Sequence, residues 1–129
     1  MPGESGETDL PALLAGMTPV LRDEEYVFCT IPHGVPLPAG AVPFATVRED
    51  EGLTVVLERA DANGLTCSAP FRAITLTVHS SLEAVGFIAV IARALADAGI
   101  PANVIAGYHH DHILVPTDHA DEAHRVLER

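Results

Sequence analysis

The pattern of apolar positions is clearest in the second half of the chain. Short runs that alternate or are rich in β-branched residues predict strands, and a longer segment that is apolar on almost every face predicts a buried helix. The resulting order, β-α-β-β-α, lacks the fourth strand of a ferredoxin-like unit, so we expect the first half to supply a strand that covers the open edge. The predicted elements are strand 71–79, helix 85–98, strands 103–106 and 111–115, and a last helix from Thr117 or Asp118 to about Leu127.

The first half has a weaker but readable pattern. Twelve residues, 32–43, hold four prolines and two glycines, which excludes regular structure and predicts a surface loop. Acidic and glycine residues at 50–52 separate two alternating runs and predict a hairpin. The predicted elements are a short helix capped by Thr8 or Asp9 and continuing through Leu14, strands 18–22 and 26–31 joined by a turn at 23–25, hairpin strands 44–49 and 53–59, and one or two helical turns at 60–65.

Composition and charge narrow the class of protein. The chain of 129 residues carries a formal charge of −11, and all seven of its basic Lys or Arg residues are arginine. This balance argues against nucleic acid or an anionic membrane as a partner, because phosphate binding needs clustered cations. The N-terminus lacks the pattern of a secretory signal, so we predict a cytoplasmic protein. Cys29 and Cys67 are far apart and in no paired motif, and they are predicted to be reduced, partly buried thiols.

The polar turn before the long helix is the first candidate site. Ser80 and Glu83 match a helix capping box, in which the serine accepts from a backbone N–H group and the glutamate reaches back. A functional alternative is that Ser80, Ser81 and the turn's N–H groups receive the carboxylate of a small ligand, assisted by the helix dipole. Gly86 indicates that the backbone comes close to another group, because a glycine is costly inside a helix unless such an approach requires it.

The histidine-rich turn at 109–112 is the second candidate. His110 and His112 share one face of a strand, and with His79 as a third ligand they could hold a transition metal. The alternative is that these histidines are hydrogen-bonded across the hairpin or solvated. We also consider Glu49 and Asp50, whose carboxylates at the hairpin tip could meet a ligand ammonium if the tip packs near the serine turn.

The chain contains the strings GETDLPALLAGMTPVL, VREDEGLTVVLE, TVHSSLEAVGF and AGIPANVIAGYHHDHILVP. In these strings it closely resembles the small bacterial ACT-domain proteins, in which two ACT-like folds are fused, and the resemblance covers nearly the whole chain. The chain is more distantly similar to aspartokinase regulatory regions and to eukaryotic cytosolic arginine sensors. The resemblance implies an α+β fold of two interleaved ferredoxin-like βαββαβ units with antiparallel sheets, at residues 1–68 and 69–129.

The same resemblance implies a regulatory protein without enzymatic activity that binds a small effector, usually an amino acid, and needs no cofactor. Such a protein would act on an enzyme or another partner in trans. We predict a homodimer, because the all-apolar helix needs cover. The alternatives are a metal-binding protein or metal-dependent enzyme and a ligand-free oligomerisation module. The implied ligand-binding residues lie in the serine turn and the following strand, and are His79, Ser80, Ser81, Leu82, Val85, Gly86, Asn103, Val104, Ile105 and Ala106.

Overall fold

The computed structural model describes residues 6–128. Its helices and strands follow the predicted order except at β1, where two predicted strands are one, and at β4, which was not predicted; most other bounds are shorter than predicted. The elements are α1 (Leu10–Gly16), β1 (Pro19–Ile31), β2 (Ala45–Arg48), β3 (Leu53–Glu58), β4 (Thr66–Cys67), β5 (Phe71–Leu76), α2 (Phe87–Asp97), β6 (Asn103–Ala106), β7 (Asp111–Pro116) and α3 (Ala120–Leu127), with single 3-10 turns at Arg59–Asp61 and Thr117–His119.

One antiparallel sheet runs through both halves of the chain. Its strand order is β2-β3-β1-β5-β7-β6, and the short β4 also pairs with β1. The first part of β1 pairs with β5, from Pro19 opposite Leu76 to Tyr26 opposite Phe71, and the last part pairs with β3. The predicted α+β, ferredoxin-like fold is therefore confirmed, and β1 provides the strand next to β5 in the second half.

Strand β1 corrects one prediction. We expected two strands separated by a turn at residues 23–25, but the structure has one strand of 13 residues. The pairing with β5 shifts register between Leu21 and Glu25, so the acidic residues are accommodated in an irregularity of the strand. Because Asp23 and Glu24 are exposed there, the chain does not need to turn in order to keep them in water.

The helices cover one face of the second half of the sheet. Phe87, Ile91 and Leu95 of α2 are buried, four residues apart, as expected for one stripe of a helix. They pack with Ile74 and Ile113 from β5 and β7. The predicted cover on a second side of α2 is absent within the described chain, since Ala89, Val90 and Ala96 are exposed. None of the described helices is long and apolar enough to cross a membrane.

In the first half of the sheet, loops rather than helices cover the buried face. Leu37 and Ala41 from the proline-rich loop and Leu65 pack over a buried cluster that includes Val55 and Leu57. The cysteine prediction was wrong: Cys29 and Cys67 form a disulfide between β1 and β4. Their separation of 38 residues hides the pairing in the sequence, whereas the register of the two strands places Cys29 directly opposite Cys67.

Candidate functional site

The serine turn lies between the end of β5 and the start of α2. The N-terminal segment runs along it as a parallel bridge, in which the Glu7 N–H group donates to His79 O at 2.9 Å and the Ser81 N–H group donates to Glu7 O at 2.8 Å. Gly6 makes this approach feasible, because a Cβ atom there would lie 2.8 Å from the backbone of Ser80. Two N–H groups near the turn, those of Asp9 and then Thr8, donate to Glu7 and lower the pKa of its exposed carboxyl group.

The serine hydroxyls do not cap α2, which corrects the predicted capping box. Helix α2 begins at Phe87, and its N-cap is Gly86, in a left-handed conformation with φ +92°. Ser81 Oγ instead accepts from the Glu83 N–H group at 3.0 Å, within the turn. Ser80 Oγ donates to Asp111 Oδ2 at 2.8 Å, across to the start of β7. The serines therefore stabilise the turn and connect it to the sheet.

Three buried polar residues meet at this place. Among the described residues the buried polar or charged ones are Thr75, Ser80, Ser81 and Asp111, and the last three line one cavity of about 130 Å³. Leu82, Ala84, Phe87, Ile88 and Ala106 form the rest of its wall. Such a concentration of buried polar groups is uncommon in a domain interior and is typical of a binding site.

The first turn of α2 forms one side of the cavity. Gly86 has no side chain, so no side-chain hydrogen bond caps this helix. The N–H groups of the first turn of a helix have no partner inside the helix. With the helix dipole they favour a negatively charged group at this end. Phe87 and Ile88, both in the cavity wall, belong to this first turn.

The predicted ligand residues of β6 fall in two places. Ala106 lies opposite Asp111 in the strand register and lines the cavity. Asn103, Val104 and Ile105 line a separate groove of about 540 Å³, together with residues of β1, β2 and β3. In the turn itself, Leu82 lines the cavity although it is mostly exposed, whereas Val85 is 84% exposed and does not line it.

Glu49 and Asp50 are not brought to the serine turn. They lie at the tip between β2 and β3, where Glu49 accepts from Thr54 and the backbone carbonyl of Asp50 contacts His33 at 2.9 Å. This tip is at the Ile31 end of β1, whereas the serine turn is at the Pro19 end. A strand of 13 residues separates the two sites by roughly 40 Å, at about 3.3 Å per residue. Within one chain the hairpin carboxylates cannot reach a ligand at the serine turn.

The histidines do not assemble into the hypothesised metal site. His79 contacts the histidine hairpin, with ring centroids 5.4 Å from His109 and 6.2 Å from Tyr108. His112 lies elsewhere, with Nδ1 2.9 Å from Thr75 Oγ1 and its ring edge-on to Phe44. In the part of the chain that the structure describes, no three His, Cys, Asp or Glu side chains are arranged to hold a metal ion. Alternation along β7 is the reason, since Asp111 faces the serine turn and His112 therefore lies on the opposite face, away from His79.

Asp111 belongs to the histidine-rich turn but is not among the ligand-binding residues predicted from the sequence. The signal was present: Asp111 occupies the same strand face as Ile113 and Val115, both fully buried. A carboxylate that continues a buried face is informative, because acidic residues are rarely buried without a partner.

Matches to known protein families cover both halves of the chain and agree with the fold. A family model described as the ACT domain matches residues 5–72, and a second ACT-domain model matches residues 68–129. A search among curated proteins returned no significant match.

Several solved structures are similar over most of the chain. A Vibrio cholerae protein of unknown function, described as a possible transport protein, is 51% identical, with a TM-score of 0.80 over 89% of this chain and 90% of that one. An Agrobacterium tumefaciens protein is 16% identical, with a TM-score of 0.72 over 86% of each chain. The regulatory subunit of aspartate kinase from Thermus thermophilus is 11% identical, with a TM-score of 0.66 over 87% of this chain and 95% of that one, which shows a shared fold. The two family matches and the shared fold show that this chain belongs to the ACT-domain family, with two such domains in tandem.

Proposed function

We propose that the protein is a non-enzymatic regulatory protein whose effector is an amino acid, bound at the serine turn. The observation that carries this proposal is the cavity between the serine turn, β7 and the first turn of α2, with Ser80, Ser81 and Asp111 buried around it. Membership of the ACT-domain family supports a regulatory role that depends on a small ligand. Similarity to aspartate kinase regulatory subunits supports the same role by analogy of fold.

The effector would act by changing how the protein contacts a partner. We propose that the partner is an enzyme or another protein regulated in trans, since ACT domains are regulatory modules. We also propose that the chain divides into two units, at residues 1–68 and 69–129, and that it forms a homodimer. The cytoplasmic location predicted from the sequence stays a prediction.

Calorimetry and thermal unfolding against the twenty amino acids test the proposal. A ligand that binds the native state raises the unfolding temperature, and at a hundred times its Kd it adds about 2.7 kcal/mol of stability. We expect heat of binding and a raised midpoint for at least one amino acid. If none of the twenty gives either signal at millimolar concentration, the proposed function is wrong.

A further inference from the structure

Asp111 is a buried carboxylate that forms no ion pair with any other described residue. Its exposure is 7%, and its described hydrogen bond is the one donated by the neutral hydroxyl of Ser80, itself 7% exposed. Among residues 6–128, no arginine or histidine forms an ion pair with Asp111. The chain has no lysine that could do so.

Burying a carboxylate in this way costs free energy. Removing an ionised group from water is expensive unless a hydrogen-bonded partner of opposite charge compensates. Ser80 supplies one hydrogen bond but no charge. Because Asp111 lies in the wall of the cavity, a cation inside the cavity could supply the missing charge.

The first turn of α2 also lines this cavity, and its polarity is opposite to that of the Asp111 carboxylate. Phe87 and Ile88 place the first turn of α2 there, and the Gly86 cap leaves its N–H groups without a side-chain acceptor. A molecule bound there would therefore have both a carboxylate and hydrogen-bond donors around it. This arrangement matches a molecule that carries an ammonium and a carboxylate a short distance apart.

The size of the cavity limits the rest of the ligand. Its volume of about 130 Å³ corresponds to about four water molecules at ~30 Å³ each. The rest of the wall is apolar and consists of Leu82, Ala84, Phe87, Ile88 and Ala106. The cavity has room for a short ligand side chain. Asp111 is the one charged residue among the described residues that line it, so a charged ligand side chain would find no partner of opposite charge there.

We infer that Asp111 binds the ammonium group of the effector and that the effector is a small, uncharged-side-chain amino acid such as alanine, glycine or serine. This inference rests on the proposed function and specifies its ligand. In this inference Asp111 binds the ammonium group that the sequence analysis assigned to Glu49 and Asp50. Strand β1 holds those two hairpin carboxylates at the opposite end of the sheet.

A panel of analogues tests the inference on the unmodified protein. The panel contains L-alanine, propionate, which lacks the ammonium, and L-phenylalanine, which adds a phenyl ring to alanine. Isothermal calorimetry should show binding of alanine, with propionate and phenylalanine each at least tenfold weaker. Equal affinity for alanine and propionate would overturn the role of Asp111, and equal or tighter binding of phenylalanine would overturn the size limit.

A pair of variants tests the same residue directly. Asp111→Asn keeps an oxygen that can accept from Ser80 but removes the charge, and it should weaken alanine binding at least tenfold. Asp23→Asn is the matched control, because the Asp23 side chain is fully exposed on β1, and it should leave binding unchanged. Circular dichroism and thermal unfolding establish that both variants are folded.

The outcomes separate the inference from the proposed function. If amino acids bind and Asp111→Asn binds them as tightly as the wild type, the inference fails and the proposed function stands. If none of the twenty amino acids binds the wild type, the proposed function fails and the inference with it. If Asp111→Asn does not fold, the analogue panel on the wild type still decides the role of the ammonium.

Discussion

His112 shows how a single side chain is placed by its neighbours on the sheet. It lies on the face of the sheet that carries Thr75 and Phe44, and its Nδ1 atom is 2.9 Å from the Thr75 hydroxyl. Burial lowers its pKa below the ordinary value of 6.5. The positive charges of Arg22 and His110 lower this pKa further, and Asp111 opposes the shift.

This lowered pKa predicts a dependence of stability on pH. Above pH 6.5 His112 is neutral in both the folded and the unfolded chain; below it the unfolded chain binds the proton more readily. The free energy of unfolding should therefore fall as the pH drops below 6.5, and level off once the folded protein is protonated too. Urea unfolding at pH 7.5 and 5.5 measures this difference.

His112→Gln should reduce the difference in stability between the two pH values, because it removes the group responsible. His33→Gln changes an exposed loop histidine and serves as the control, with a difference equal to that of the wild type. Equal differences in all three proteins would contradict the role of His112.

At the scale of elements, the pairing of strands rather than their existence was hard to predict. The hairpin of β2 and β3, the helix α1 capped by Asp9, and the order of α2, β6, β7 and α3 follow from local patterns. The start of α2 does not follow from the local pattern, because Ser80 and Ser81 resemble a helix cap whereas the left-handed Gly86 is the actual N-cap. The pairing of β4 with β1, and with it the disulfide, depends on contacts distant in sequence.

The disulfide makes a prediction for the first half of the sheet. Cys29 and Cys67 enclose a loop 38 residues long, so the bond restricts the unfolded chain and should contribute about 4 kcal/mol to stability in the chain-entropy account. Reduction by dithiothreitol should lower the free energy of unfolding in urea by that order. The double variant Cys29→Ala, Cys67→Ala should show no response to the reductant. A wild type that unfolds at the same urea concentration with and without reductant would contradict the prediction.

At the scale of the whole molecule, β1 joins the two halves into one sheet. Its first part borders β5 and its last part borders β3, so each half of the sheet depends on the same strand. The helix side of the second half still exposes apolar residues. Val90 is 42% exposed and Leu14 38% exposed, and with Met17 they line an apolar groove of about 240 Å³ between the helices.

This exposed groove leads to a prediction about the proposed homodimer. Light scattering after gel filtration should give twice the mass of the chain, because pairing of two copies through this surface removes apolar area from water. Val90→Glu should shift the protein to the monomer mass. Val42→Glu, at an 80% exposed loop position away from the helices, should remain dimeric. A wild type that has the monomer mass at all concentrations tested would contradict the homodimer.

The sequence by itself determined the class of the fold, most of its elements and the serine turn as a place of interest, because alternation, glycine and proline act over a few residues. The tertiary structure alone decided which residues share the site. It placed Asp111 against Ser80, 31 residues apart, and Cys29 against Cys67, and it held Glu49 and Asp50 far from the turn. The physical reason is that strand register and the path of β1 arise from pairing between distant segments. A local pattern shows which face a side chain occupies but not what it meets there.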